Sequence, residues 1–164
     1  MQQPEQIFVG LEETLIEDWD SLRFMSEHIR AVKHLLETRK VTEIHIFSFA
    51  IHNSEDNLRF AEELQPHLEA RLGVKIVSAP TVMSMKMVDE QWRKCRLDDI
   101  TEFIMLRGKQ GAFKSWASMK HPGCECTLID DVVPNMDIMD HDRQTGISFR
   151  NIKGVHELWE IWGK

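Results

Sequence analysis

The segment IFVGLEETLI, residues 7–16, gives the clearest indication of the fold. Its first three residues are apolar, and a short apolar run that stops at a glycine, here Gly10, is typical of a fully buried β-strand. Polar residues follow, and an apolar pair, Leu15 and Ile16, closes the stretch. We therefore expect the first strand of a sheet, with a polar loop directly after it.

Apolar runs of strand length recur along the rest of the chain. They cover residues 43–48, 74–77, 126–129 and 147–149. In the segments between these runs, apolar residues recur at helical spacing, so strands alternate with helices. This alternation predicts a three-layer, Rossmann-like α/β fold, in which helices cover both faces of a mostly parallel sheet of about five strands.

The predicted helices have recognisable ends. One should run from Asp20 or Ser21 to about Lys40, and another from Asn53 or Ser54 to Gly73, because short polar residues cap helix starts and glycine ends helices. Pro66 is expected to kink or split the second helix. Further helices are predicted over residues 83–95 and 98–104, from 113 towards Pro122, and over 155–162.

The polar residues at the strand ends are the candidates for a site. In sheets of this kind, ligands bind in the crevice beyond the carboxyl ends of the strands. Residues 10–14 follow the first strand, Ser48 ends the second, and Asp130 and Asp131 end the fourth. We expect these residues to meet at one edge of the sheet.

The first of these strand ends resembles the haloacid dehalogenase (HAD) superfamily of phosphohydrolases. The first motif of that family is an apolar strand followed by Asp-x-Asp-x-Thr and an apolar pair. Thr14 and the apolar pair at 15–16 match this motif. Gly10 stands where the family has its nucleophilic aspartate, and Glu12 stands where it has the second aspartate, the general acid/base.

The other three HAD motifs also have counterparts here. Ser48 is similar to the Ser or Thr that ends the second strand. Lys109 is similar to the lysine that precedes the fourth strand, with Lys114 as the second candidate. Asp130 and Asp131 are similar to the acidic pair after that strand. The resemblance covers nearly the full chain and implies a HAD core without a large cap domain.

The substitution at Gly10 implies that the usual HAD chemistry is lost. In the family the first aspartate attacks phosphorus and also ligates Mg²⁺, and glycine has no side chain for either role. The extra methylene of Glu12 moves its carboxyl by about 1.5 Å relative to aspartate. A misplacement of about 1 Å can cost about a hundredfold in rate. We therefore expect a pseudoenzyme with negligible phosphatase activity.

The resemblance also implies a remnant of the ligand site. Ser48 and Lys109 are expected to hold a phosphate group, while Glu12, Asp130 and Asp131 are expected to bind Mg²⁺ weakly at most. No other cofactor is expected. The alternative is a Mg²⁺-dependent phosphohydrolase of altered mechanism, in which Glu12 or Asp130 acts as a base on water.

The composition is typical of one globular domain over residues 1–164. The chain carries 27 acidic and 20 basic residues, a net charge of −7, and it has no long basic run, which disfavours nucleic-acid binding. No apolar run approaches the roughly 20 residues that a membrane-spanning helix needs. The odd number of cysteines, three, fits a reducing cytoplasm.

An acidic surface suits a basic patch on another protein. We therefore expect a regulator or effector that acts by binding a protein partner, as a phage-encoded effector would. Trp162, and Met85 within the methionine cluster at 83–87, are the predicted partner-binding residues, since tryptophan is enriched in interface hot spots and methionine surfaces adapt to partners. The acidic segment 137–142 is predicted to be a solvated loop.

Overall fold

The computed structural model describes residues 5–94, 100–131, 139–142 and 146–151. The six described strands form one sheet in the order β3-β2-β1-β4-β6-β5. They are β1 (Gln6–Val9), β2 (Glu43–Ile46), β3 (Lys75–Ser78), β4 (Cys126–Asp130), β5 (Met139–Asp142) and β6 (Ile147–Asn151). Neighbouring strands are parallel except for β5, which pairs antiparallel with β6. The predicted mostly parallel α/β fold is confirmed.

The helices connect these strands and lie between them in sequence. They are α1 (Ser26–Thr38), α2 (Ser54–Arg59), α3 (Gln65–Leu72), α4 (Val82–Val88), α5 (Ile100–Glu102) and α6 (Gly108–Lys120). Two π-helical segments, Phe60–Leu64 and Phe103–Arg107, join α2 to α3 and α5 to α6. Pro66 stands in the first turn of α3, so the predicted split at this proline is confirmed.

The helices cover the sheet on both faces, which gives the predicted three layers. Successive side chains of a strand point to opposite faces. Ile7 and Val9 of β1 therefore pack into one apolar cluster with residues of α1 and α3. Phe8, between them, packs into a second cluster with residues of α4 and α6. The central strand is thus buried on both sides, as its apolar sequence requires.

The first helix begins later than the sequence predicts. α1 starts at Ser26, and the segment before it folds back on itself, with Ile16 forming an antiparallel bridge to Phe24. The side chain of Asp18 accepts a hydrogen bond from the backbone N–H of Ser21, so it caps a turn in this segment. The prediction of a helix start at Asp20 or Ser21 is therefore wrong.

The acidic segment before β6 also differs from its prediction. Residues 139–142 form β5 and pair with β6, so the predicted loop is wrong over these four residues. Aspartate, which occupies two of the four positions, has low intrinsic strand preference, and pairing with a neighbouring strand overrides it. Asp137, Trp162 and the predicted helix at 155–162 lie outside the described residues.

The edge strand β3 is closed by side chains of α3. The Ile76 N–H donates to the Glu69 carboxylate at 2.9 Å, and the Ile76 carbonyl accepts from the Gln65 amide at 3.1 Å. These are backbone groups that an edge strand would otherwise leave unpaired. One helix therefore both covers a face of the sheet and satisfies part of its edge.

Among the described residues, no helix is both long enough and apolar enough to span a lipid bilayer.

Candidate functional site

A cleft of about 300 Å³ lies where β1, β2 and β4 end. Its lining consists of five carboxylate side chains with one lysine, one serine and one aromatic ring: Glu12, Glu13, Glu17, Asp18, Asp131, Lys109, Ser48 and Phe49. The structure thus brings together Glu12, Ser48, Lys109 and Asp131, which the sequence places far apart. This is the edge at which parallel α/β sheets bind ligands.

Gly10 and Asp130 lie side by side beneath this cleft. A Cβ atom at position 10 would collide with Oδ1 of Asp130 and would lie 2.7 Å from its Cγ. Non-bonded atoms cannot approach so closely, so any side chain at position 10 requires Asp130 to move. The Asp130 carboxylate therefore occupies the space that a side chain on residue 10 would need.

Asp130 is held in this position by two partners. The Thr14 hydroxyl donates to Oδ1 at 2.9 Å, and the Lys109 ammonium pairs with Oδ2 at 2.9 Å. Asp130 is 0% exposed. Burial raises the pKa of the Asp130 carboxyl, and the positive charge of Lys109 acts in the opposite direction. The result is a closed ion pair that is sealed from solvent on the carboxylate side.

Asp131 extends this cluster towards the cleft. Its Oδ1 lies 3.2 Å from the Thr14 hydroxyl oxygen. Partial burial raises the pKa of the Asp131 carboxyl, while a hydrogen bond with Asp130 lowers it and one with Glu13 raises it. Neighbouring acids therefore share this end of the sheet, and Lys109 is the lysine that lies within ion-pair distance of Asp130.

Glu12 has a structural partner of its own. Its Oε2 accepts a hydrogen bond of 2.9 Å from the backbone N–H of Trp19. The Trp19 ring in turn carries the Arg59 guanidinium at 4.8 Å from its centroid. Glu12, at the position of the family's general acid/base, thus holds the segment between β1 and α1 in its folded-back conformation.

The predicted metal ligands do not form a ready-made coordination group. Within the described ranges, no three Asp, Glu, His or Cys side chains converge as they would around a metal ion. Asp130 is paired with Lys109, and Glu12 with the Trp19 amide. Weak Mg²⁺ binding by Glu12, Asp130 and Asp131 stays a prediction.

The predicted phosphate ligands are present but already engaged. The Ser48 hydroxyl oxygen accepts from the Ala50 N–H at 3.0 Å, and the Lys109 ammonium pairs with Asp130. A phosphate in the cleft would also meet the five carboxylates of the lining. Phosphate binding by Ser48 and Lys109 stays a prediction, and the local charge opposes it.

The prediction of Met85 as a partner contact is wrong. Met85 is 1% exposed and belongs to the second apolar cluster. Helix α4 turns Val82 and Met85 towards the core, so that Met87, which is 51% exposed, points outward instead. Helical spacing in a methionine-rich segment fits either face, and only packing decides between them.

Three cleft residues were missed in the sequence, whereas Glu13 lies within the predicted range 10–14. Phe49 directly follows Ser48, which the motifs singled out, so its proximity was the available signal. Glu17 and Asp18 reach the cleft because the chain folds back before α1. A backbone hydrogen bond from Ser21 lowers the pKa of Asp18, which stays charged.

Fold and site together define an α/β protein of Rossmann-like class with an acidic cleft at the carboxyl ends of its strands. Comparisons with protein-family models, with curated proteins and with solved structures find no match. The resemblance to the HAD superfamily therefore depends on the motif residues quoted above.

Proposed function

We propose that this chain is a catalytically inactive HAD-like protein that acts by binding, as a regulator or effector of a partner protein in the cytoplasm. The observation that carries the proposal is the position of the Asp130 carboxylate. It fills the space beside Gly10 where a nucleophilic side chain would stand. Covalent catalysis needs an attacking atom at that place, and glycine supplies none.

The alternative, a phosphohydrolase that uses Glu12 and Asp130, is less well supported. A base must come within about 3 Å of the proton that it removes. Asp130 is fully buried and paired with Lys109, so water and substrate cannot reach it without opening that pair. Glu12 is bonded to the Trp19 amide, and its use as a base would release the loop that it holds.

The charge of the cleft indicates the chemistry of the partner. Five carboxylates line it, and the single lysine in the lining is neutralised by Asp130. Such a lining attracts arginine or lysine side chains and repels phosphate groups. The partner is therefore a protein segment that presents basic residues.

The first test is catalytic. The purified protein is incubated with Mg²⁺ and a panel of phosphomonoesters, and we expect no turnover. Turnover that is abolished by Glu12→Ala would overturn the pseudoenzyme proposal and establish the alternative mechanism.

The Gly10→Asp variant then tests whether activity is lost only because the nucleophile is missing, or also because Asp130 occupies its space. If only the nucleophile were missing, this variant would regain turnover. We expect no turnover and a melting temperature well below that of the wild type, because the new Cβ collides with Asp130. Gly111→Ala is the control, since a Cβ there would lie 3.2 Å from Cδ of Arg107, a side chain paired with Asp89, and needs a shift of only a few tenths of an ångström. A stable, active Gly10→Asp protein would contradict the proposal.

The second test measures binding to a fluorescent oligo-arginine peptide by anisotropy. Neutralising Glu13, Glu17 and Asp18 together is expected to weaken binding by about tenfold or more, equivalent to about 1.4 kcal/mol. The matched control neutralises three exposed acids outside the cleft lining, Glu37, Glu62 and Glu102. Equal losses in both triple variants would show that net charge alone binds the peptide and would refute a specific cleft.

A further inference from the structure

Three aromatic rings meet where the end of α6 packs on the sheet, and none of them lines the cleft. Phe8 of β1 stacks on His45 of β2, with ring centroids 4.5 Å apart and an interplanar angle of 20°. The ring of His121, which caps the C-terminus of α6, lies 5.6 Å from Phe8 and 5.1 Å from His45. Two imidazoles therefore lie next to each other at this junction.

His45 is only 8% exposed, and both of its ring nitrogens have neutral partners. Nε2 lies 2.8 Å from the carbonyl oxygen Oε1 of Gln6, which can only accept, so Nε2 carries the proton. Nδ1 lies 2.6 Å from the Ser78 hydroxyl, which therefore donates to it. The neutral imidazole is fully hydrogen-bonded, and a second proton at Nδ1 would require the Ser78 hydroxyl to rotate from donor to acceptor while a charge is buried without a counter-charge.

The charged groups that face the rings do not favour a second proton. Burial, and then the neighbouring His121, lower the pKa of His45 to about 4. Burial and the adjacent Lys120 lower the pKa of His121 as well. On β2, Glu43 lies two residues before His45 on the same face and is exposed to solvent.

Two further acids stand near this junction in the chain. Glu5, next to Gln6, has one carboxylate oxygen bonded to Thr127 at 2.7 Å and the other paired with Arg39 at 3.0 Å. Glu125, in the turn before β4, is exposed. Their charges are thus satisfied by other groups or by water.

We propose that Phe8, His45 and His121 form an acid-sensitive clasp, in which protonation of either imidazole loosens the C-terminal end of α6 from β1 and β2. Because both histidine pKa values are lowered by folding, the clasp contributes its full stability above the ordinary histidine value. That contribution is lost as the pH falls through the folded values. The fold therefore contains a device that responds to mild acid, independently of the cleft.

The test compares wild type, His45→Gln, His121→Gln and the double variant at about pH 7.5 and about pH 5. The acid-induced fall in melting temperature is expected to be about 5 °C larger in the wild type than in the double variant. Amide exchange at 117–121 is expected to accelerate by about tenfold in acid in the wild type only. His52→Gln, at an exposed histidine, is the control and is expected to behave as wild type.

Equal melting shifts in the wild type and the double variant, with unchanged exchange at the end of α6, would overturn the clasp. If the His45 variants do not fold, two measurements test the clasp instead: the comparison of His121→Gln with the wild type, and the titration of the histidine ring protons in the wild type. A His45 ring that titrates near its ordinary pKa of 6.5 would also overturn the proposal, because the folded state would then carry no penalty for protonation.

Discussion

Two polar centres, Asp130 and His45, are buried in the same sheet, and the groups that compensate for their burial differ. Asp130 is buried together with a cation, Lys109, and the pair is closed by the Thr14 hydroxyl. His45 is buried with uncharged partners, Gln6 and Ser78, and stays neutral. Burial alone therefore does not determine the charge of a side chain. The partner that is buried with it does.

This difference makes the two centres respond to acid in opposite senses. A raised carboxyl pKa contributes stability that is full below the ordinary value of 3.8 and is lost as the pH rises through the folded value. The lowered pKa of His45 has the reverse effect, since its contribution is lost as the pH falls. Acidification thus lowers the cost of burying Asp130 and raises the cost of burying His45.

The largest effect should come from removing the cation at the first centre. Lys109→Met leaves Asp130 fully buried without its counter-charge, and we expect the free energy of unfolding at neutral pH to fall by about 3 to 5 kcal/mol. Part of the lost stability should be recovered in acid. Without Lys109 the pKa of Asp130 rises further, so the carboxyl becomes protonated and neutral as the pH falls. Urea unfolding at neutral and acidic pH measures both effects.

The control for this variant is Lys94→Met, at an exposed lysine outside the cleft lining, with an expected change within about 0.5 kcal/mol. Adding Asp130→Asn to Lys109→Met should recover stability, since the unpaired charge is gone. A loss that is the same at both pH values would mean that packing, and not charge, sets the cost.

A smaller effect is expected at the hydroxyl that closes the ion pair. Thr14→Val keeps the shape of the side chain but removes the donor to Asp130, and a hydrogen bond to a charged group is worth about 1.5 to 3 kcal/mol. The measurement is again urea unfolding, with the exposed Thr101→Val as control. A change no larger than that of the control would show that the hydroxyl does not hold the carboxylate.

The smallest effect is expected at the neutral centre. Ser78→Ala removes the donor to Nδ1 of His45, and a hydrogen bond between neutral groups contributes about 1 kcal/mol. The exposed Ser118→Ala is the control. If Ser78→Ala costs as much as Thr14→Val, the charge of the partner does not distinguish the two centres, and the comparison drawn above fails.

Much of the fold follows from sequence pattern, and the exceptions have physical causes. Continuous apolar runs, separated by helical segments, predict the parallel strands, because a strand that is buried on both faces is apolar along its whole length. β5 was not predicted because its pairing with β6 overrides the low strand preference of Asp140 and Asp142. The start of α1 escapes because Asp20 and Ser21 look like helix caps, whereas the Ile16–Phe24 bridge decides their conformation.

The sequence predicts where the site lies in the fold, but not how its side chains are oriented. Parallel sheets gather strand ends at one edge, so Ser48 and Asp131 could be placed together from sequence alone. The closure of position 10 by Asp130 could not, because it depends on a side-chain orientation set by a contact between Thr14 and Asp130, 116 residues apart. The hydrogen bond from the Trp19 amide to Glu12 could not be predicted either, because it depends on the conformation of the loop between them.

The sheet edge at β3 has one more consequence. With the amide and carbonyl of Ile76 hydrogen-bonded to Glu69 and Gln65, an incoming strand would meet backbone groups that are already paired at this residue. Addition of an extended peptide, or stacking of strands into a fibril, would first have to displace these two side chains at the middle of β3.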